Sequence, residues 1–410
     1  HADSDPDAGL RLVGALGWYW YFASSPDGGR KVAAMLDAAR AGSPEARARA
    51  LQALAVAARP GACIVHPSPE CAAAAAESRA LFAKLGDDFR AALSTTLLAV
   101  EGIGSDDPRG AFDLLVEADR EFIRAVDPWC SALVQFVEME LHAVAGAMDD
   151  AVASGNRTLA VFRTLGDQWG VSAIQFHLGM ALHRAGRLSE ALDMYEGALA
   201  SGREVAGVVN TIQYALAGAG HVRLLLGDLD AAGRLFAESH AVGRELGAEG
   251  NPRAAVGEGL LARELGDPGL AAAHLTRALT MLAGEPEWTA TALIGLGHLA
   301  ETSGDLDGAE SFHRRAWETA RGRAGALEGL ACVAAARGDA SAAARLLGAA
   351  ARWREVRHRP ATRLELADAG RAEHRARELL GADRFLAEHR AGAEDPDAAV
   401  RSLEAVGSRR

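Results

Sequence analysis

The sequence contains few cysteines, no long apolar run and no initiating methionine. Four cysteines in 410 residues are too few for a disulfide scaffold, which favours a reducing compartment, and we expect a cytoplasmic protein. No apolar stretch approaches the roughly 20 residues that cross a bilayer, so we expect no membrane contact. Because the chain starts at His1, we also expect it to be part of a larger protein.

Lysine and aromatic residues are scarce as well. Lys31 and Lys84 are the only lysines among 43 basic residues, and 55 acidic residues bring the net charge to −12. An acidic chain of this kind does not favour direct nucleic-acid binding, which needs a basic face. Aromatic residues make up only 5% of the chain, whereas there are 45 glycines. This composition favours closely packed helices over a β-sheet, which prefers β-branched and aromatic residues.

A turn pattern recurs about every 40 residues, a period typical of helical repeats. In its strictest copies Gly stands five residues before an Ala, an apolar residue often follows that Ala by four positions, and a small residue follows it by seven. Small residues let two antiparallel helices approach, and the large residue fills the gap to the next pair. The pattern indicates helix-turn-helix repeats of the tetratricopeptide (TPR) type. The recurring alanines are Ala111, Ala151, Ala191, Ala232, Ala271, Ala309 and Ala343.

Local signals mark helix ends between these turns. Four residues that can cap a helix stand directly before a proline, which is favoured at the first helical position. Glycines between successive pairs suit the left-handed conformation that ends a helix. The capping residues are Ser43, Ser68, Asp127 and Asn251, and the glycines are Gly86, Gly166 and Gly247.

These patterns predict an all-α fold, a right-handed superhelix of about nine TPR-like helical pairs with a helical C-terminal cap. Beyond Ala343 the repeat is lost, and we expect a break at Pro360 and a helix to about Leu380. An irregular helical bundle is the alternative. The predicted divisions are an N-terminal aromatic-rich helical pair at 1–40, TPR-like repeats at 41–343 and the C-terminal helical cap at 344–410.

Motifs of nucleotide-binding and catalytic sites are missing. The segment Gly28–Lys31 lacks the spacing of a phosphate-binding loop, and neither Gly-x-Ser-x-Gly nor His-Glu-x-x-His occurs. Cys63, His66 and Cys71 resemble three zinc ligands, but no fourth ligand lies nearby and prolines break the segment. Because no set of acid, base and nucleophile emerges, we predict a protein without enzyme activity, bound cofactor or metal.

The TPR pattern also predicts which side chains line the concave groove of the superhelix, because the first helix of each pair lines it. These positions hold aromatic and apolar residues with a few polar groups, which is what a ligand pocket needs. The alternative is that the aromatic residues pack between helical pairs. The predicted groove residues are Phe136, Glu140, Phe176, Met180, His183, Arg184, Tyr214, His221, Leu260, Arg263, Ile294 and His298.

Five aromatic residues follow one another near the N-terminus, at 18–22. Consecutive residues of a helix point about 100° apart, so five in a row cannot share one face. We expect one face to pack on the helix near Val32–Leu36 and the other to be a partly exposed docking surface. The alternative is that the next helical pair buries all five. The predicted docking residues are Trp18, Tyr19, Trp20 and Tyr21.

Several of these segments resemble a known family. They are Leu16–Tyr21, Leu165–Gly170, Ala344–Ala350 and Leu380–Phe385. They are similar to the C-terminal TPR-like region of large actinobacterial transcription regulators, of the Streptomyces antibiotic regulatory protein (SARP) type and the related large ATP-binding LuxR type. The resemblance covers nearly the whole chain. It implies that an ATPase module and a DNA-binding module precede this region in the parent chain, and it supplies no catalytic residue.

The resemblance and the predicted groove together lead to one functional hypothesis, a ligand- or partner-sensing regulatory domain of a multidomain ATPase-type transcriptional regulator of secondary metabolism. Its expected partners are the ATPase and DNA-binding modules of the parent chain and a small molecule or peptide in the groove; homo-oligomerisation stays open. The alternative is a protein–protein scaffold or oligomerisation module that binds a peptide in the groove. A clamp for a peptide carboxylate needs several inward basic residues, and the groove offers mainly Arg184 and Arg263.

Overall fold

The structure, a computed structural model, consists of α-helices joined by short turns. It describes residues 5–23, 25, 27–59, 65–105, 108–205, 209–245, 250–282, 285–319, 324–357, 359–399 and 401. The chain divides into two compact units. Unit 1 comprises His1–Leu182 with Asp193–Ala215, and unit 2 comprises His183–Leu192 with Leu216–Arg410.

Twenty α-helices and a short 3-10 helix (Val100–Gly104) make up the described part of the chain, in which there is no strand. The first ten α-helices are α1 (Pro6–Phe22), α2 (Gly28–Ala38), α3 (Pro44–Ala57), α4 (Pro69–Leu85), α5 (Asp88–Ala99), α6 (Arg109–Ala125), α7 (Pro128–Ala145), α8 (Met148–Leu165), α9 (Gln168–Arg184) and α10 (Leu188–Gly202). The others are α11 (Val209–Leu226), α12 (Leu229–Glu245), α13 (Pro252–Glu264), α14 (Pro268–Met281), α15 (Pro286–Ser303), α16 (Leu306–Thr319), α17 (Ala324–Ala336), α18 (Ala340–Val356), α19 (Arg363–Leu380) and α20 (Ala382–Glu394).

The helices from α1 to α18 follow one another as nine pairs. In unit 2 the members of a pair pack on each other, as α13 does on α14 and α15 on α16. The first helices of neighbouring pairs also touch, since α13 packs on α15 and α15 on α17. The predicted all-α fold of about nine TPR-like pairs is therefore confirmed. None of the described helices is long and apolar enough to cross a membrane.

The turn within a pair combines a helix stop with a helix start. Gly304 ends α15 with a φ of 88°, a left-handed conformation that suits glycine because it has no Cβ. The next residue, Asp305, accepts a hydrogen bond from the Gly308 amide at 2.9 Å and so caps α16. The Gly-Asp dipeptide recurs because it does both tasks in two residues. The same arrangement is found at Gly227–Asp228, Gly266–Asp267 and Gly338–Asp339.

The predicted helix ends are also present. All four predicted capping residues accept a hydrogen bond from a backbone amide two or three positions on, and a proline begins the helix in each case. Gly86 and Gly166 have positive φ and end α4 and α8. The third predicted glycine, Gly247, lies outside the described residues.

The residue four positions after the turn alanine is wedged between two helical pairs in unit 2. Phe236 lies against Gly220 of its own pair, where a Cβ would be 2.7 Å from the ring, and against Gly257 of the next pair. His313 is held in the same way between Gly297 and Gly329. The turn alanines beside these wedge residues are buried. The large residue therefore fills the gap to the next pair, as the sequence pattern predicts.

The C-terminal helices leave the repeat after α18. This helix ends at Val356, so the predicted boundary at 343–344 falls inside it, and the domain limits stay a prediction. α20 packs on α18 through Gly348 and Gly392, whose missing side chains let each helix approach the backbone of the other. α19 ends at Leu380, as expected, and packs on α17 and α18.

We predict that enlarging a turn alanine destabilises the chain. Ala232 is fully buried in α12, so Ala232→Leu should overpack the pair and lower the free energy of unfolding by about 1–3 kcal/mol. Ala237→Leu is the matched control, because Ala237 is an exposed residue of the same helix. Urea denaturation followed by circular dichroism measures both. If Ala232→Leu is as stable as Ala237→Leu, the repeat register is wrong.

Candidate binding surfaces

The predicted groove residues fall in both units. Five belong to unit 1 and seven to unit 2. In unit 1 they are Phe136, Glu140, Phe176, Met180 and Tyr214, and in unit 2 they are His183, Arg184, His221, Leu260, Arg263, Ile294 and His298. We therefore describe the surroundings of each group within its own unit.

The unit 1 residues surround a buried histidine that the sequence did not point to. His177 of α9 shares a 2.8 Å hydrogen bond, through Nδ1, with the Glu140 carboxylate of α7. Its ring lies edge-on to Phe136 and Phe176, with centroid distances of 4.9 and 5.0 Å. Phe136, Glu140 and Phe176 are all buried, so they are packing residues in this structure and their ligand role stays a prediction. Met180 and Tyr214 are half-buried.

In unit 2, His183 and His221 meet at a half-exposed tryptophan. Their ring nitrogens Nε2 and Nδ1 are 3.0 Å apart, so one donates a hydrogen bond and the other accepts it. The Trp288 ring of α15 lies edge-on to both, with centroids 5.1 Å from His221 and 6.5 Å from His183. The result is an aromatic surface that also carries polar imidazole atoms. We call it the His183–His221–Trp288 cluster.

Ion pairs border this cluster. Arg184 Nε is 3.2 Å from the Glu287 carboxylate. Arg253 Nε donates to Glu285 at 2.6 Å, and its guanidinium lies 5.8 Å from the Trp288 ring centroid. Both arginines are thus neutralised by acidic side chains of the same unit. A clamp for a free peptide carboxylate, which needs uncompensated basic residues, is not favoured here.

The remaining unit 2 residues lie under α19. Arg263 of α13 donates to Asp368 of α19 at 2.7 Å, and His298 Nε2 is 3.5 Å from the same carboxylate. Arg371, one turn further along α19, donates to Asp368 at 2.7 Å and to Glu301 of α15 at 2.8 Å. Two predicted groove residues, Arg263 and His298, are therefore engaged by the chain's own C-terminal helix.

Further contacts extend this interface along α19. Arg363 donates to Glu264 of α13 at 2.9 Å. Leu364 is buried in the apolar cluster that contains Leu260. The Cys332 thiol of α17 donates to the Asp368 carbonyl at 3.4 Å. Thus α19 contacts the first helices of three successive pairs. We call the surface formed by α13, α15 and α17 the α19-binding face. Ile294, also on α15, is half-buried beside Gly325 of α17.

The charges at this face shift the pKa values of two carboxyl groups. Burial alone would raise the pKa of Asp368, but His298, Arg263 and Arg371 outweigh it and hold that pKa below its ordinary value. Burial likewise opposes ionisation of Glu301, and His298 and Arg371 hold its pKa low. Both groups are therefore carboxylates at neutral pH.

Three possible metal ligands meet near Asp368. The ligand atoms of His298, Glu301 and Cys332 all lie within 4.8 Å of one another. Arg371 already pairs with Glu301, and burial raises the pKa of Cys332 to about 12, so its thiol stays protonated. Metal ions bind the thiolate form, and the set does not favour a metal. Of the weak zinc pattern, Cys63 lies outside the described residues, and Cys71 is buried.

The N-terminal aromatic residues divide between the interior and the surface. Trp18 lies edge-on to Trp129 at the start of α7, with centroids 5.5 Å apart. Phe22 and Tyr21 lie edge-on to Trp169 at the start of α9, at 5.0 and 5.9 Å. These five residues form one aromatic cluster of unit 1, which ties α1 to helices that follow it by more than a hundred residues.

The outer face of α1 differs from the prediction in its details. Tyr19 is 64% exposed and Leu12 60% exposed, whereas Trp20 packs over Gly28 at the start of α2. α1 does contact α2, but it packs mainly on α3, where Gly17 touches Ala53. Of the four predicted docking residues, Tyr19 is the one that is exposed, and its docking role stays a prediction.

We predict that Phe176→Ala is a folding variant. Phe176 is buried against His177 and Tyr195, so its removal should leave a cavity and cost about 3–5 kcal/mol of stability. Tyr214→Ala is the comparison, since Tyr214 is half-buried in the same unit and should cost less. Thermal melts of both variants give the answer. Equal melting temperatures would place the two aromatic residues in equivalent environments and contradict this assignment.

The lowered pKa values predict an acid-sensitive interface. A carboxyl group whose pKa is lower in the folded state stabilises the fold above its unfolded pKa, ordinarily 3.8 for Asp and 4.5 for Glu, and this stabilisation is lost as the pH falls. Asp368→Asn should lose about 1.5–3 kcal/mol at pH 7 and show a flatter fall in stability below pH 4 than the wild type. Glu378→Gln, at an exposed position of α19, should follow the wild-type curve. Parallel curves for all three chains would contradict the prediction.

Two solved structures share the fold. The apo form of RapI is 12% identical with a TM-score of 0.54, and the match covers 84% of this chain and 97% of that one. A Rap protein complexed with Competence and Sporulation Factor is 16% identical with a TM-score of 0.52, and the match covers 94% and 99%. Neither a family model nor a curated protein matches the sequence. At these identities the likeness shows a TPR-like helical-repeat fold.

Proposed function

We propose that the chain is a regulatory domain that senses a ligand or partner through the first helices of its repeats. The observation that carries this proposal is the His183–His221–Trp288 cluster. There an aromatic ring and two imidazoles converge on a half-exposed surface. Convergent polar groups on an aromatic surface are what small-molecule and peptide sites use to orient a ligand.

The fold likeness supports a binding role. One Rap protein that shares the fold was crystallised with Competence and Sporulation Factor bound. By analogy, the repeat helices of this chain would hold a regulatory ligand. The neutralised arginines beside Trp288 favour a ligand with aromatic or apolar groups and hydrogen-bonding atoms over one recognised by a free carboxylate. No enzyme activity is part of this proposal.

The parent protein we propose is a multidomain ATPase-type transcriptional regulator of secondary metabolism. The support is the resemblance of Leu16–Tyr21, Ala344–Ala350 and Leu380–Phe385 to the TPR-like region of such regulators. A ligand would act on the ATPase and DNA-binding modules only through its different affinity for the active and inactive states.

A second candidate function is a scaffold that docks another protein or a second copy of itself. The observation in its favour is the outer face of α1, where Leu12 and Tyr19 are exposed seven residues apart and so lie on one stripe of the helix. Exposed apolar stripes are typical of contact surfaces. The oligomeric state of the wild type and of Tyr19→Ser, measured by light scattering, bears on this function.

We predict that ligand binding requires Trp288. The purified chain is screened by thermal shift against metabolites and peptides, and a ligand at 100 times its dissociation constant should stabilise it by about 2.7 kcal/mol. Trp288→Ala should abolish this stabilisation, because the ligand loses the ring surface. Trp353→Ala is the matched control, since Trp353 is a half-buried tryptophan of the same unit and has an arginine at the same 5.8 Å distance from its ring.

Two outcomes would contradict the sensing proposal. One is a broad screen in which no compound or peptide stabilises the chain. The other is a ligand that Trp288→Ala and Trp353→Ala bind equally well. A dimer that Tyr19→Ser dissociates, together with a screen that finds no ligand, would favour the scaffold function instead.

A further inference from the structure

The polar character of the α19 interface distinguishes it from the other helix contacts of unit 2. Asp368 and Arg371 of α19 bind α13 and α15 through ion pairs. The repeat helices themselves pack through buried alanines, leucines and glycines. Charged groups regain hydration when they separate, so an interface made of ion pairs is weakly favoured over its hydrated parts, whereas an apolar interface is not. Of these contacts, the one between α19 and the repeat is the most readily opened.

We propose that the α19-binding face is a receptor for a charged amphipathic helix, and that α19 is its occupant within the same chain. The pattern that the face recognises is a leucine, an aspartate four residues later and an arginine three residues after that, at Leu364, Asp368 and Arg371. A partner helix with this pattern takes the same place when α19 swings out. This inference extends the proposed function by naming a partner class at a surface separate from the His183–His221–Trp288 cluster, so either can fail without the other.

α19 carries the features of a helix that keeps its structure away from the face. Thr362 and Glu365 form a reciprocal capping box that satisfies the start of the helix from within. Glu373 and Arg377, four residues apart, form an ion pair at 2.8 Å that supports the helix further along. At its end Gly381 has a φ of 74°, which leaves a single flexible residue before α20.

The neighbours of α19 remain in place when it moves. α20 and α18 approach each other closely at Gly348 and Gly392, and this contact does not involve α19. On the other side, the segment from Arg357 to Thr362 contains Pro360 and joins α18 to α19 without helical structure. α19 therefore swings about Gly381 with this segment as its tether.

Cys332 reports whether α19 is seated. Its thiol lies beneath the helix, 3.4 Å from the Asp368 carbonyl. Burial raises the pKa of Cys332 and of Cys130 to about 12, so neither thiol reacts until its surroundings open. Cys130 is buried in unit 1 and serves as an internal reference.

The test follows alkylation of both thiols by N-ethylmaleimide, quantified by peptide mass spectrometry on the full chain. Asp368→Lys places a positive charge against Arg263 and should speed labelling of Cys332 about tenfold by local opening, with Cys130 unchanged. Glu378→Lys makes the same charge change on the exposed side of α19 and should label like the wild type. A synthetic peptide of residues 361–381, added to the Asp368→Lys chain, should slow Cys332 labelling again. The same peptide carrying Asp368→Lys should not.

Each contrary result overturns the inference. Unchanged Cys332 labelling in Asp368→Lys would make α19 a fixed part of unit 2. Faster labelling that the wild-type peptide does not slow would show that the face is not a receptor. If Asp368→Lys unfolds the chain, which faster labelling of Cys130 would reveal, the wild type decides. There Cys332 should react faster than Cys130, at a rate that low urea barely changes, because α19 exposes little surface when it opens. Equal rates would overturn the inference.

Discussion

The close approach of helices at glycine is the constraint on which the architecture of unit 2 depends. Each wedge residue, such as Phe236 between Gly220 and Gly257, contacts two helical pairs at once, so its size sets the spacing of three helices. That spacing brings the first helices α13, α15 and α17 side by side. A row of side chains from successive repeats then faces one way, and α19 covers it.

The near absence of lysine has a structural counterpart at this face. Arg371 donates to two carboxylates at once, those of Asp368 and Glu301, through two separate nitrogens. The planar guanidinium holds several donors in fixed directions, whereas a lysine ammonium is a single charged point. A network in which each acid has a defined partner therefore depends on arginine. The same network explains why Asp368 is ionised despite its burial.

Local patterns predicted the fold well, and long-range contacts are the part that they missed. The Gly-Asp turns, the four proline-preceding caps and the buried turn alanines could be read from the sequence, because each depends on residues a few positions apart. The occupant of the groove could not, since Asp368 lies 105 residues from Arg263 and no periodicity links them. His177 and Trp288 were missed for a related reason, because they stand outside the positions at which the TPR pattern places groove residues. The burial of Phe136 reflects the same limit, since helical periodicity does not distinguish a groove from the space between pairs.

The aromatic cluster of unit 1 and the seating of α19 in unit 2 bear on how the chain folds. An ideal repeat array folds with contacts between neighbours alone, so that any stretch of it can form or fray independently. Here the Trp18 ring waits for Trp129 and the Phe22 ring for Trp169, and Asp368 waits for Arg263. Such contacts between distant parts of the chain raise the contact order, which slows folding. They also join repeats into two cooperative blocks, so that each unit is expected to unfold as a whole instead of fraying pair by pair.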